Sequence, residues 1–245
     1  MGESVKGCSC PQLVSTWQLW APAHLHLPDQ SPADSRSSDL PIVSRVPHFA
    51  SGAVALPCLQ GRSNMGFIGH LTPRQQVPDL SLPLAGGGHW RLSDQRPKHF
   101  TMLAFYRGAH CSVCRDYLRH LQSMYAQFSK LGVTPIAIST DTAERACSVE
   151  TSWGLRDLCV AHGLSLQQAR AWGLYVSRGV GVSSMGIEEP AMFVEPALFL
   201  VRPDRTLYYA SVQSMPFGRP CFDDMLSGIE MAVARNDPAR GDVAD

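Results

Sequence analysis

A short apolar run that turns at a glycine and delivers two cysteines to the start of a long amphipathic segment constrains this chain more than any other feature. The run is Phe100 to Tyr106, followed by Arg107-Gly108-Ala109-His110-Cys111-Ser112-Val113-Cys114-Arg115. Its length, continuity and aromatic content, with turn chemistry at its end, read as a buried β-strand. Gly108 permits a sharp exit where a Cβ would crowd the backbone. Beyond it, Tyr117, Leu118, Leu121, Tyr125, Phe128 and Leu131 fall on one face of an α-helix of about five turns. Cys111 therefore lies at or just before the helix N-terminus, where unpaired N–H groups and the macrodipole favour an anion. A thiolate is such an anion, so its pKa is expected below the free value of about 8.5. Cys114, one turn further in, is close enough to close a disulfide with it. Arg107, His110 and Arg115 add positive or titratable groups that favour the thiolate. His110 is also a candidate to pass a proton to a leaving thiol.

Two other readings of the pair stay open at this stage. The cysteines can be ordinary buried thiols, or half of a zinc site. Zinc needs four ligands, and the comparable element is Cys159-Val160-Ala161-His162 on an expected strand, where neighbouring side chains alternate faces. No metal site is therefore expected. Cys147, Cys159 and Cys221 read as core or helix-face thiols, with Cys221 also a candidate distant resolving cysteine.

The chain divides by composition. Residues 1–64 carry seven prolines, a serine-rich run over Ser31 to Ser38 and no sustained helical or strand period, and read as a disordered or spurious N-terminal extension. Coherent patterning starts just after Met65, the expected translation start, and residues 65–245 form the organised domain. Asp79 to Leu84 and His89 to Leu92 flank a triple-glycine turn. Val133 to Ser139 is a second core strand. Asp141-Thr142-Ala143-Glu144 resembles a capping box for a helix ending near Gly154. Leu158 to Ala161 is a short strand, Ser165 caps a short helix through Trp172, and Val176 to Met192 reads as a loop. Ala197 to Val201 and Thr206 to Ala210 form a hairpin, and Phe222, Leu226, Ile229 and Val233 mark a closing helix.

With 21 basic and 21 acidic residues, the chain lacks the electrostatic footprint of a nucleic-acid binder. Its apolar runs break before the roughly 20 residues of a membrane span. No secretory pattern opens it, and its eight cysteines read as thiols and a catalytic pair, so a cytoplasmic location is expected.

The order of elements is that of a thioredoxin-type sheet. Phe105 to Cys114, Glu195 to Asp204 and Ser211-Val212-Gln213-Ser214-Met215-Pro216-Phe217 together resemble the AhpC/TSA-related, peroxiredoxin-like proteins of the thioredoxin fold, over about Met65 to Arg235. The resemblance implies an α/β, thioredoxin-like three-layer sandwich with a mixed central sheet and helices on both faces. It implies that Cys111 attacks and Cys114 resolves, and that Pro196 is the proline facing the pair, cis in thioredoxins, which leaves the preceding backbone free to pair with a substrate segment. The activity implied is a thiol oxidoreductase reducing peroxides, with thioredoxin or glutathione as reductant and no cofactor. The alternatives are disulfide exchange without useful peroxidase activity, and a binding module with vestigial cysteines. The chain departs from true peroxiredoxins at Ala104 and Gly108, where they carry a proline and a hydroxyl residue, and it lacks a proline inside the Cys-x-x-Cys. Ser112 stands there instead, placed to stabilise the Cys111 thiolate or to hydrate it.

Overall fold

A computed structural model of the protein describes residues 71–243. The expected extension over 1–64 and the expected start at Met65 lie outside the described residues.

The strand expected from Phe100 is β3, Phe100–Phe105, buried at every position. It lies at the centre of a five-stranded mixed sheet. On one side it pairs in parallel with β4, Val133–Ile138, which pairs in parallel with β5, Cys159–Ala161. On the other it runs antiparallel to β8, Ala197–Val201, which pairs with β9, Leu207–Val212, at the edge. Pro135 sits third in β4, where its missing N–H is tolerated because β5 begins its pairing only at Ile136. A separate hairpin, β1 (Ser81–Pro83) with β2 (His89–Arg91), precedes the sheet.

Because β-strand side chains alternate faces, β3 serves two cores. Met102 and Ala104 face helices α1 (Ser112–Lys130), α2 (Ala143–Ser152) and α4 (Phe222–Arg235), joining Leu118, Leu121, Phe128, Val149, Phe222 and Ile229. Leu103 and Phe105 face the opposite layer, built from helix α3 (Leu166–Ala171), Trp172 and the β1–β2 hairpin. There Trp172 packs edge-on to Phe199 at 5.1 Å and against Phe105 at 5.8 Å. Helices thus cover both faces of a mixed sheet, which is the expected thioredoxin-like three-layer sandwich.

Three local expectations shift. Helix α2 is capped by Thr142, whose hydroxyl accepts from the Arg145 N–H, rather than by Asp141; the carboxylate of Asp141 turns inward instead. Gly154, at φ +67°, follows the Trp153 C-cap and ends that helix where expected. The stretch 176–192 is not all loop: β6 (Val176–Arg178) pairs with β7 (Met192–Val194) in a two-stranded ribbon whose ends meet across a long glycine- and serine-rich excursion. Strand β9 runs two residues beyond the expected Ala210.

Candidate active site

Three connections converge where β3 ends. The β3–α1 turn carries Arg107 to Cys111, the β4–α2 turn carries Asp141, and the chain before α4 carries Arg219. Gly108 takes φ +138°, and a Cβ there would stand 2.7 Å from Asp141 Oδ1. The approach has a purpose: the Ala109 N–H donates to Asp141 Oδ2 at 2.9 Å, pinning the turn to the neighbouring strand end. The place that a hydroxyl side chain at position 108 would occupy is filled by this buried carboxylate. Burial raises the Asp141 pKa above its ordinary value, opposed by the Ala109 N–H and by Arg145.

The pinned turn presents Cys111 as the N-cap of α1, with the extended backbone of a capping residue. Its sulfur takes the role a serine oxygen usually plays and accepts the Cys114 N–H at 3.2 Å. The two thiols are unequal. Cys111 retains 4% exposure and Cys114 none. The Cys111 pKa is pushed down to about 6, first by a hydrogen bond from the Cys114 side chain, then by the Cys114 N–H, Arg219 and Arg107, against the opposing cost of burial. Cys114 moves the other way: burial, then the hydrogen bond it gives to Cys111, hold its pKa well above the ordinary thiol value, while Arg219 pulls it down. The arrangement favours a thiolate at the helix terminus with a protonated neighbour behind it.

Arg219 is the cation that touches this pair. Its Nη2 donates to Cys114 Sγ at 3.0 Å, its Nε donates to the Pro216 carbonyl at 2.7 Å, and its guanidinium lies 4.9 Å from the centre of the Tyr117 ring. Tyr117 in turn donates to the Pro220 carbonyl at 2.9 Å and stacks on Phe222 at 4.2 Å. The chain entering α4 is thereby fastened across the redox helix.

The residues singled out by sequence fall in different places. Arg107 lies in a carboxylate clamp, 3.4 Å from Glu195 Oε2 and 3.7 Å from Glu189 Oε1, and packs its guanidinium 4.7 Å over the Phe193 ring. Ser177 and the Val180 N–H hold those carboxylates from behind, at 2.6 and 2.9 Å. His110 is buried against Phe193, with ring centres 4.6 Å apart, and its Nε2 is 4.0 Å from Glu189. Burial first, then Arg107, lowers its pKa to about 4, so the ring is neutral near pH 7. Ser112 points its hydroxyl at Ser184, 3.5 Å away, and Arg115 pairs with exposed Asp116 at 3.0 Å. Pro196 lines a narrow pocket with Tyr117 and Arg219. Its carbonyl accepts from the Gln213 N–H, and the Glu195 N–H already serves Tyr175, so backbone on both sides of the ring is paired within the chain. No described peptide bond is cis. Arg219, Glu189 and Phe193 carry no local sequence signal, the resemblance motif ending at Phe217, two residues short of Arg219. Glu195 and Asp141 stand in motifs read from sequence, but as a family mark and a helix cap and not as the partners of Arg107 and the Ala109 N–H.

Among the described residues no group of His, Cys, Asp and Glu is arranged to hold a metal, and no helix is long and apolar enough to cross a membrane.

The AhpC/TSA family model matches residues 73–210. Among solved structures, the peroxidoxin BcpB of Mycobacterium tuberculosis is 20% identical, with a TM-score of 0.53 over 66% of this chain and 98% of that one. Peroxiredoxin 6 of Arenicola marina is 19% identical, with a TM-score of 0.54 over 68% and 76%. A peroxiredoxin-like protein of Aquifex aeolicus is 12% identical, with a TM-score of 0.54 over 66% and 88%. At these identities the structural likeness speaks for the fold. No curated protein matches the chain.

Proposed function

The chain belongs to the AhpC/TSA family, and from that premise we propose that it is a peroxiredoxin-type thiol oxidoreductase whose redox centre is the pair Cys111 and Cys114. The observation that carries the reading is the 3.2 Å hydrogen bond from the Cys114 N–H to the Cys111 sulfur at the head of α1. That bond and the helix terminus favour Cys111 as the anionic nucleophile, while complete burial keeps Cys114 from being the thiol that meets the oxidant first.

With a peroxide, the Cys111 thiolate attacks one oxygen; the O–O bond breaks, the departing alkoxide takes a proton, and Cys111 becomes a sulfenic acid. Cys114 sulfur then attacks Cys111 sulfur, the S–O bond breaks, and hydroxide leaves as water with the proton Cys114 gives up. One peroxide gains two electrons and the pair becomes a disulfide. With a disulfide substrate, Cys111 forms a mixed disulfide that Cys114 resolves. An external dithiol such as thioredoxin, or two molecules of glutathione, returns the pair to thiols and is itself oxidised to a disulfide. A cytoplasmic setting, which keeps thiols reduced, suits that last step. The organised unit we assign to this activity is residues 65–245.

The disulfide-exchange reading has its own support. Asp141 fills the space where a hydroxyl at position 108 would orient a peroxide. The deciding experiment treats the reduced full-length chain with one equivalent of hydrogen peroxide and follows it by stopped-flow fluorescence and mass spectrometry of the Cys111–Cys114 peptide. Loss of two hydrogens, orders of magnitude faster than a free thiol reacts and abolished by Cys111→Ser, establishes peroxidase chemistry. Reaction at the free-thiol rate, with fast oxidation by glutathione disulfide, establishes exchange. Failure of both oxidants to link the pair overturns the redox reading.

A further inference from the structure

Cys114 presents a chemical difficulty. It has no exposed surface, and a buried thiol resists the ionisation that its attack requires. In the resting pair its proton is directed to the Cys111 sulfur, so its acidity is tied to the charge on its neighbour. Once Cys111 has been oxidised or has formed a mixed disulfide, that negative charge is gone, and Cys114 needs another group to hold its own charge. The geometry supplies one. Arg219 Nη2 donates to Cys114 Sγ at 3.0 Å, and the guanidinium cannot drift away: Pro216 holds its Nε and the Tyr117 ring supports its face. Its Nη1 is buried and has no hydrogen-bond partner among the described residues, so no carboxylate draws the guanidinium away from the sulfur. Arg107 is engaged by Glu189 and Glu195, and Arg115 by Asp116.

We propose that Arg219 is the positioning residue of the resolving step: it holds the Cys114 sulfur in place and stabilises it as the thiolate that attacks oxidised Cys111. This rests on the redox reading above and adds a division of labour to it. Cys111 is activated mainly from within its own helix, by the Cys114 side chain and N–H, whereas Cys114 is activated from the chain that enters α4. In the resolving step Arg219 gives up no proton. The Cys114 proton leaves with hydroxide as water, or with the departing thiolate as a thiol, and the guanidinium balances the sulfur's charge until the S–S bond forms.

The test separates the two steps in the full-length chain. Arg219→Met and Arg219→Lys are compared with the parent, oxidised by hydrogen peroxide or by glutathione disulfide, and sampled by rapid quench. Mass spectrometry of the Cys111–Cys114 peptide reads the sulfenic acid or mixed disulfide apart from the closed disulfide. Arg219→Met is expected to change capture of oxidant by Cys111 less than about threefold. It is expected to slow closure at pH 7 more than about tenfold, the effect of one pKa unit on a thiolate population. The closure rate recovers as pH is raised, with its midpoint displaced upward, and Arg219→Lys restores part of the rate at pH 7. Circular dichroism checks that each variant is folded; should Arg219→Met not fold, Arg219→Gln, which keeps hydrogen-bond donors without the charge, takes its place. Unchanged closure with an unchanged pH profile overturns the proposal, as does equal slowing of both steps, which assigns Arg219 to Cys111. A parent protein that closes no disulfide with either oxidant overturns the underlying redox reading instead.

Discussion

The N–H of Cys114 donates to the sulfur of Cys111 across 3.2 Å, so the helix that begins between the two cysteines is capped by the first of them. Deprotonation of Cys111 therefore strengthens the first turn of α1, and the same contact that starts the helix favours the charge on the nucleophile.

Alkylation of Cys111 by iodoacetamide is expected to follow an ionisation midpoint near pH 6, against roughly 8.5 for an unperturbed thiol. Cys114→Ala removes the side-chain hydrogen bond that is the largest cause of the shift, and the midpoint is expected to rise by a unit or more. A Cys111 midpoint that stays above pH 8 in the parent protein removes the argument for an activated thiol. The measurement is a pH series of labelling rates at the Cys111 peptide.

Arg107 reads from sequence as a thiolate-stabilising group, but its strongest contacts are the carboxylates of Glu195 and Glu189. Glu195 is 3% exposed, and replacing its cation by an apolar side chain leaves a buried charge with one hydroxyl partner, Ser177. Arg107→Met is expected to lower stability by about 3 kcal/mol in urea denaturation, and Arg107→Met with Glu195→Gln to recover a large part of it. Over the same pair of variants the Cys111 labelling midpoint is expected to move by less than about one unit, since Arg107 is the smallest of the causes acting on that thiol. A large midpoint shift with unchanged stability would reverse the assignment.

Gly108 is required by geometry and not only by flexibility. At φ +138° an alanine is strained in itself, and its Cβ meets Asp141 Oδ1 at 2.7 Å. Relief requires moving the carboxylate that accepts the Ala109 N–H. Gly108→Ala is expected to destabilise the fold by about 2–3 kcal/mol and to slow Cys111 labelling at pH 7, because the turn sets where the sulfur sits. Gly87→Ala, a control in a left-handed glycine with open space around it, loses stability without affecting labelling.

What the sequence made legible follows contact distance along the chain. The strand, the turn and the redox helix are contiguous, so the periods of 2 and 3.6 reveal them, and the N-cap position of Cys111 follows from where the helical stripe begins. The ribbon β6–β7 escaped because its strands are three residues each and meet across a loop. Arg219 escaped for a stronger reason: it is 105 positions from Cys114, and nothing local to Gly218-Arg219-Pro220 distinguishes a thiol partner from a solvated loop arginine. Asp141 was visible, but as a helix cap. The adjacent Thr142 could cap equally well, and only the tertiary approach of Gly108 decides which side chain turns inward.

His110 allows a test of its environment by pH. It faces Arg107, Arg145 and Glu189, with Phe193 against its ring, and in the folded protein it takes a proton only near pH 4. In the unfolded chain it does so near 6.5. Between those values the unfolded state binds more protons, so this residue's contribution to stability rises with pH, and falls as pH drops from about 6.5 to 4. Below pH 4 both states are protonated and the loss is complete. Asp141 acts in the opposite sense, since burial raises its folded pKa and its contribution falls with rising pH, so the slope of the parent protein alone does not isolate the histidine. The difference between the parent and His110→Gln does. The parent is expected to lose on the order of 3 kcal/mol relative to the variant between pH 7 and pH 4, with no further change above pH 7. A difference that is flat across that range would mean that the folded ring titrates as it does in the unfolded chain. One of opposite sign, falling as pH rises above about 6, would mean that the ring is held charged by Glu189 and available as a proton donor beside the thiols.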